Sequence, residues 1–463
     1  MYALVVCPVA RILHKRAGNV WFYVILAVSD HDRCKFHDGQ GVQIVTRQVR
    51  TMSIKSGADS IFSLFSLARS KFEHGKEEAG KQYLQSLLEV SSTMARDDFS
   101  SAHLADPELL QRLYLSGAHD ALLNLFEAGD ISGDNAAIMA ASIYFSRNEP
   151  HKALLAAKGI RDFEQRRLRQ KTVELWQDIH APLEHEPRVH LLVLAHNRED
   201  YAEESLRQLG RTEYRNYAVF IAENGSSDKT WEIVCRAKEF FPPHVPVHIQ
   251  RFPTNIGRPA GHNWLLTGHD HSAADYIAIG DDDLISVPPT WLTAMVNTIR
   301  AFPNCACVGG KAKSPGWPAM IHAGIRNITD FGPGYINLTN NGESPDLGQF
   351  DYVDIVDHVI GCLHIFDRKH LEQAGLFDIR FSPCQCVDIE HHLRMRLAGM
   401  NIVFNGLISF VHLRGMGKAV GKEKALQGNS LGNLMKLSYK YEAETVHREI
   451  AERHAERNRW LVG

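Results

Sequence analysis

The sequence predicts an α/β fold, a doubly wound and mostly parallel sheet preceded by an all-α helical domain. Three observations carry this expectation. Between residue 60 and about residue 178, apolar residues recur at the i, i+3, i+4, i+7 spacing of helices that bury one face. At His190 the pattern changes to short apolar runs alternating with helical segments, the order of a sheet wound with crossover helices. Polar and charged residues then gather just after those runs, where one edge of the sheet would lie.

Length and composition agree with this division. A chain of 463 residues is too long for one ordinary core and calls for two or three domains. Apolar content of 44%, charged content of 23% and a formal net charge of −3 describe a soluble globular protein and disfavour nucleic acid as a partner. Eight cysteines stand at 7, 34, 235, 305, 307, 362, 384 and 386 without a Cys-x-x-Cys pair, which argues against a zinc ribbon or a thioredoxin-type motif. They read as reduced thiols of a cytosolic protein. The Cys-x-Cys pairs at 305/307 and 384/386 leave two readings, core-filling thiols or ligands of a soft metal.

The elements follow in order. Residues 1–51 form an uncertain N-terminal extension without helical periodicity, and Met52 is the expected natural initiator. Val20 to Val28 is the longest clean apolar run there and falls short of the ~20 residues of a membrane-spanning helix, so no transmembrane segment is expected. Residues 52–180 form the helical domain, with Ile61-Leu64-Leu67-Ala68 and Tyr83-Leu84-Leu87-Leu88 marking apolar faces. Further helices are expected at 107–116, 118–127, 135–147 and 151–158. Residues 136–157 have the look of a tetratricopeptide-type hairpin, but no 34-residue period repeats, so a bundle and a weak repeat array both stay open. The charged stretch 166–187, ending in prolines, reads as a connector.

Within 188–418 the strands are 191–195, 217–222, 247–249 and 276–280, and the helices 203–209, 230–240 and 258–267; residues 419–463 follow as a C-terminal helical tail. The last strand, Tyr276 to Gly280, ends in Asp281-Asp282-Asp283. Three adjacent like charges repel unless a cation or a set of donors neutralises them. In an extended segment Asp281 and Asp283 share a face and can address one ion while Asp282 points elsewhere. Oxygen ligands suit Mg²⁺ or Mn²⁺, which favour phosphate oxygens in turn. The other strand ends carry His196-Asn197-Arg198, then Glu223-Asn224-Gly225-Ser226-Ser227-Asp228, then Asn255-Ile256-Gly257-Arg258. Polar side chains, a permissive glycine and two arginines on one rim are what a nucleotide diphosphate site requires. No Gly-x-Gly-x-x-Gly or Walker motif follows any strand.

These segments, in order and spacing, resemble the motifs of family 2 glycosyltransferases of the GT-A fold. The resemblance takes in 193–198, 222–230, 255–257 with Asn263, and 281–283. Downstream it adds Gly361 to Arg368 with Ala374 to Asp378, then Cys386 to Gly399, then Val411 to Gly415. It spans roughly residues 188–418 and implies a metal-dependent, inverting transfer of a sugar from a nucleotide-diphosphate sugar to an acceptor hydroxyl. It implies a donor site of Asn197, Arg198, Glu223 (where the family usually has Asp), Asn224, Asn255, Gly257, Arg258, Asn263 and Asp281. The implied metal ligands are Asp281, Asp283 and His412, holding Mn²⁺ or Mg²⁺; His412 is alternatively a satisfied structural histidine.

Asp388 stands at the family's general base, or else caps a helix over 389–398. Glu390, about 200° further around that helix, reads as an acceptor-binding or helix-supporting group. The acceptor is a glycan, a lipid-linked species or a protein, with Pro383-Cys384-Gln385-Cys386 departing from the family pattern beside it. A protein partner for the helical domain, and a cytoplasmic location or one peripheral to the inner face of a membrane, complete the expectation. Two other readings remain. One is a non-catalytic nucleotide-sugar-binding or scaffold protein. The other is a sugar-nucleotide pyrophosphorylase, which calls for a Gly-rich, Arg-containing loop where this chain has His196 to Asp200.

Overall fold

The computed structural model describes residues 10–17, 20–27, 58–91, 94, 99, 101–104, 106, 108–339, 342, 344–413 and 424–463. The chain divides into two compact units, Met1–Leu125 and Phe126–Gly463. In the first, strands β1 (Ala10–Ala17) and β2 (Val20–Ala27) pair as an antiparallel hairpin with Ala17 opposite Val20. The sequence reading gives residues 1–51 no element, so this hairpin is a finding of the structure; Met52 lies outside the described residues. Helices α1 (Ala58–Glu73) and α2 (Glu77–Ser91) pack against each other and bury Ile61, Ala68 and Leu87 completely, whereas Leu88 of the predicted face is exposed. Short helices α3 (Ser101–Leu104), α4 (Leu109–Leu115) and α5 (His119–Glu127) follow.

The second unit opens with α6 (Asp134–Ser146) and α7 (Pro150–Ala157), then α8 (Phe163–Glu174) and α9 (Trp176–His180). The last two occupy most of the stretch expected to be a connector. It is no linker, because its helices pack into the core: Leu168 and Ile179 are buried, and Arg169 is fully buried and donates from Nη2 to the carbonyl of Gly348 at 2.9 Å. Thr172 accepts the backbone N–H of Val353 at 2.9 Å. Charge density alone suggested a solvated segment, whereas the buried guanidinium of Arg169 is satisfied by a carbonyl from a distant part of the chain.

The sheet strands are β3 (Val189–Ala195), β4 (Tyr217–Asn224), β5 (Val247–Phe252), β6 (Tyr276–Asp281), β7 (Leu284–Ile285), β8 (Cys305–Ser314) and β9 (Met320–Ala323). A small separate hairpin of β10 (Ile328–Gly332) and β11 (Tyr335–Leu338) follows, and then β12 (Val353–Val356), β13 (Leu363–Asp367) and β14 (Asn401–His412) return to the sheet. The order is β12-β14-β8-β13-β6-β3-β4-β5, with β7 beside β14 and β9 beside β8. Strands β3, β4, β5, β6, β8 and β14 run one way, and β13 is inserted antiparallel between β6 and β8. This is the expected mostly parallel, doubly wound α/β sheet.

Crossover helices α10 (Ala202–Gly210), α11 (Thr230–Cys235), α12 (Arg258–Thr267) and α13 (Trp291–Ala301) cover it, joined later by α14 (Arg368–Ala374) and α15 (Val387–Leu397). The period-2 rule divides the core: Leu191 and Val193 pack on one face with Leu206, Met295 and Val296, while Leu192 faces Leu265, Ile279 and Leu393 on the other. The final helices, α16 (Lys424–Lys440) and α17 (Ala443–Val462), are part of this core rather than a loose tail. Val446 and Leu461 are buried, Arg457 donates to both oxygens of Asp354 at 2.6 and 2.8 Å, and Arg453 pairs with Asp357. Among the described residues no helix is long and apolar enough to cross a membrane.

Candidate active site

Strand β6 delivers Asp281 to the carboxyl edge of the sheet, and the chain then leaves the sheet's main path. Residues Leu284–Ile285 pair with the end of β14, with His412 opposite Leu284 and Val411 opposite Ile285. That register sets His412 beside the acidic turn: its Nε2 lies 3.0 Å from Asp283 Oδ1 and 3.8 Å from Asp281 Oδ2. The backbone N–H of Leu413 donates to the Asp283 carbonyl at 2.9 Å, and Ser205 bridges the turn by donating to the Asp281 carbonyl and accepting from Leu284. Asp281, Asp283 and His412 offer one ligand atom each within 4.8 Å of one another, a set that fits a divalent ion accepting two oxygens and one imidazole nitrogen.

Each carboxylate of the trio has its own cation. Arg258 forks onto Asp281 (Nη1 to Oδ2 3.0 Å, Nη2 to Oδ1 2.9 Å). Asp282 turns away, because the strand ends at Asp281 and residues 282 and 283 form a turn rather than the extended segment expected. It accepts the N–H of His196 at 2.8 Å and faces Arg198 Nε at 3.6 Å. Arg198 Nε is also 3.5 Å from Asp283. Burial pushes the Asp282 carboxyl up to about 7, the like charge of Asp283 adding and Arg198 opposing. Burial also opposes ionisation of Asp283, yet the hydrogen bond and charge of His412 hold it below the ordinary range. His412 moves the other way: burial works to lower it, but Cys362 and Asp283 outweigh burial and raise it to about 11.

The rim beyond β3 and β4 is held by its own polar network. Asn197, in a left-handed conformation at φ 50°, accepts the N–H of Ser227 on its side-chain oxygen at 2.9 Å. Arg198 donates its N–H to Thr230 Oγ1 at 2.7 Å. Glu223 is fully buried, accepting from Arg251 Nε at 3.0 Å and from the N–H of Ser226. Asn224 donates to the side chain of Asn255 at 3.0 Å, and Asn255 accepts the N–H of Gly257 at 2.8 Å. Gly225, at φ 65°, has no room for a Cβ, which would lie 2.2 Å from the carbonyl carbon of Thr254. Asn263 stands apart from this network: its amide donates to the Phe377 carbonyl at 2.7 Å and accepts the Phe377 N–H at 2.8 Å.

Asp388 lies inside the first turn of α15. The cap position belongs to Cys386, at φ 60°, and the helix starts at Val387, so the capping alternative is corrected: the strained turn at Gln385 and Cys386 starts the helix earlier than its sequence suggests. Asp388 Oδ2 instead accepts the N–H of Gly361 at 3.0 Å. The carbonyl of that same Gly361 accepts from Arg258 Nη2 at 2.6 Å. One residue therefore joins the carboxylate of α15 to the arginine that grips Asp281. Burial would raise Asp388, but His358, Arg258, His392 and Arg326 together hold it well below the usual carboxylate range, so it is ionised at neutral pH. Glu390 is the helix-supporting group, accepting from Arg394 at 2.7 Å and Tyr441 at 2.7 Å and pairing with Lys440.

Residues 191–374 match the family model described as Glycosyl transferase family 2. The chain carries a glycosyltransferase family 2 domain. The match takes in the strand-end motifs, the acidic trio and Gly361, and ends before Asp388 and His412. No curated protein matches the chain. Among solved structures, this glycosyltransferase is similar to the mannosyltransferase PcManGT from Pyrobaculum calidifontis in complex with GDP-Man and Mn²⁺. The identity is 16%, over 69% of this chain and 86% of that one, with a TM-score of 0.37. It is also similar to GalNAc-T7 with UDP, GalNAc and Mn²⁺ (11% identity, 57% of this chain and 49% of that one, TM-score 0.45) and to S. aureus TarS (14%, 49% and 36%, TM-score 0.35).

The fold brings Asp281, Asp283, Arg198 and Arg258 of the matched segment together with Asp388 and His412, which follow it, into one connected set. Asn197, Glu223, Asn224, Asn255 and Gly257 line the adjoining loops, and Asn263 holds the Phe377 backbone. Sequence reasoning placed Gly361 only at the start of a resembling segment and gave it no role, and it missed Arg251. Each acts through a partner far away in the chain, and the register of Leu363 opposite Gly280 is what places Gly361 at the site.

Proposed function

We propose that the chain is a metal-dependent, inverting glycosyltransferase that moves a sugar from a nucleotide-diphosphate sugar to an acceptor hydroxyl. The observation that carries this reading is the link through Gly361, which sets a carboxylate on α15 one residue away from the Arg258–Asp281 pair, itself next to His412 of the Asp283–His412 pair. In this reading Asp281, Asp283 and His412 hold the ion, and the imidazole in the set favours Mn²⁺ over Mg²⁺. Bound there, a divalent ion would supply positive charge to the diphosphate leaving group.

The protein's own groups do the rest. Arg198 and Arg258 flank the trio and orient the diphosphate, with Asn197, Asn224, Asn255 and Gly257 shaping the loops around the donor and Glu223 fixing Arg251 beside them. Asn263 supports the acceptor side by holding Phe377. Asp388, ionised and partly exposed, takes the proton of the acceptor hydroxyl as that oxygen attacks the anomeric carbon from the face opposite the leaving group. One base on one side of the sugar is the requirement of a single displacement, which inverts the anomeric configuration. A cytoplasmic setting keeps the cysteines reduced. Docking at the inner face of a membrane serves a lipid-linked acceptor, and the helices of the first unit serve a protein partner.

A screen of nucleotide sugars with Mn²⁺ present, reading nucleoside diphosphate release and the anomeric configuration of the product by NMR, tests the reading. Release with one donor and an inverted product supports it. A retained configuration removes the single-displacement assignment of Asp388.

A further inference from the structure

A second group of metal-ligating side chains lies inside the same unit, away from the acidic turn. Cys307 on β8, His364 on β13 and His392 on α15 each bring a ligand atom to within 4.8 Å of the other two. The topology explains the meeting. Strand β13 pairs with β8 so that Phe366 is opposite Cys307 and His364 opposite Gly309, which puts Cys307 and His364 on one face of the sheet. Helix α15 packs His392 onto that face, with its Nε2 3.4 Å from Cys307 Sγ. None of the three is more than 2% exposed. His358, 1% exposed, places its ring 5.7 Å from that of His392.

Packing alone does not account for this choice of residues. A buried neutral imidazole brings one donor and one acceptor, and both need partners. Yet Nδ1 of His364, Nδ1 of His392 and both ring nitrogens of His358 are buried with no hydrogen-bond partner among the described residues. Aliphatic side chains would fill the same space without that cost. We propose that Cys307, His364 and His392 form a buried zinc site, with the His358 ring packed beside it.

The donor set is the reason for zinc. One thiolate and two imidazoles, without a carboxylate, suit a borderline-soft ion in tetrahedral coordination, in contrast to the oxygen-dominated set at Asp281 and Asp283. As the Zn–S bond forms, the Cys307 thiol gives its proton to solvent. Thiolate and Zn²⁺ together leave one positive charge, and the carboxylate of Asp388, one helical turn before His392 on the same face of α15, is its nearest countercharge along the helix. The ion ties α15 to β8 and β13 and fixes the helix turn that carries Asp388. Because every ligand is buried, zinc enters as the chain folds and exchanges slowly afterwards.

The test is metal content and does not depend on the donor-site reading. Full-length protein expressed with zinc and dialysed folded against EDTA should retain one zinc per chain by plasma mass spectrometry, and should release it on unfolding in guanidinium. Asp283→Ala should keep this zinc and Cys307→Ser should lose it. Where Cys307→Ser does not fold, the wild-type protein refolded with Co²⁺ gives the answer. A thiolate-to-cobalt charge-transfer band with tetrahedral ligand-field bands supports the site. Folded wild-type protein free of zinc, retention by Cys307→Ser with loss in Asp283→Ala, or a cobalt spectrum without the charge-transfer band overturns it.

Discussion

Each acidic residue of the β6 turn has a different partner, so single substitutions there should separate metal binding from stability. Asp283→Ala is expected to abolish Mn²⁺-dependent donor binding, read by calorimetry, with little loss of fold, since Arg198 keeps Asp282 as a partner. Asp281→Ala should remove the same binding and also destabilise by about 1–3 kcal/mol in urea, because it strips the Arg258 guanidinium of its forked partner. Asp388→Asn retains an oxygen for the Gly361 N–H but no proton acceptor, so turnover should fall roughly 10²-fold with donor affinity nearly unchanged. Near-wild-type turnover at saturating donor would remove Asp388 from the mechanism. The trio was legible from sequence because three like charges after an apolar run are rare without a reason. His412 needed a family pattern, since nothing near it in sequence tells one histidine of 25 from the others.

At the scale of elements, α15 is the piece on which both the proposed base and the proposed zinc site depend, and its outer end is pinned by Glu390. That side chain is inaccessible and holds Arg394, Tyr441 and Lys440, the last two at the junction of α16 and α17. Glu390→Gln should therefore lower stability by about 2–3 kcal/mol, measured by urea unfolding, by leaving two cations without their carboxylate. Six of the first seven elements of the sheet half were readable to within three residues, α12 without error because Gly257 and Pro259 mark its start, whereas α11 stops at Cys235, five residues before its expected end, and a 3-10 turn over Ala237–Phe240 follows. The insertion of β13 between β6 and β8 was not readable. Strand order depends on which edges meet in space, and hydrophobic period carries no such information.

For the whole molecule, the unit boundary revises where the chain can be cut. A protein beginning at Phe126 should fold and bind donor nucleotide. One beginning near Glu184 should not fold, as it would lack Leu168, Arg169 and Thr172 from the core, together with Ile179, whose carbonyl accepts from Asn297 at 3.0 Å. Circular dichroism of the two decides it. Acid should be hard on this fold. Burial lowers His190 to about 4 and His391 to about 3, and holds His262 far down as well. A histidine whose folded value lies below its unfolded value stabilises above pH 6.5, and that stability is lost as pH falls below it, by up to about 1.4 kcal/mol per pH unit for each group. The melting temperature should thus drop between pH 7 and pH 5; a flat profile would show these rings to be solvated.

Gly361 is the residue on which substitution tolerance turns. Its N–H and its carbonyl face opposite halves of the site, and an added Cβ would stand 2.9 Å from the Cβ of Asp388. Any replacement must push α15 outward or swing the carboxylate away from its hydrogen bond. In a saturation library scored for sugar transfer, position 361 should accept glycine alone, even though it has no side chain to lose. Alanine at 361 should be rescued best by second-site changes that shorten or move residue 388, which makes the two positions, 27 residues apart in sequence, a single unit of inheritance.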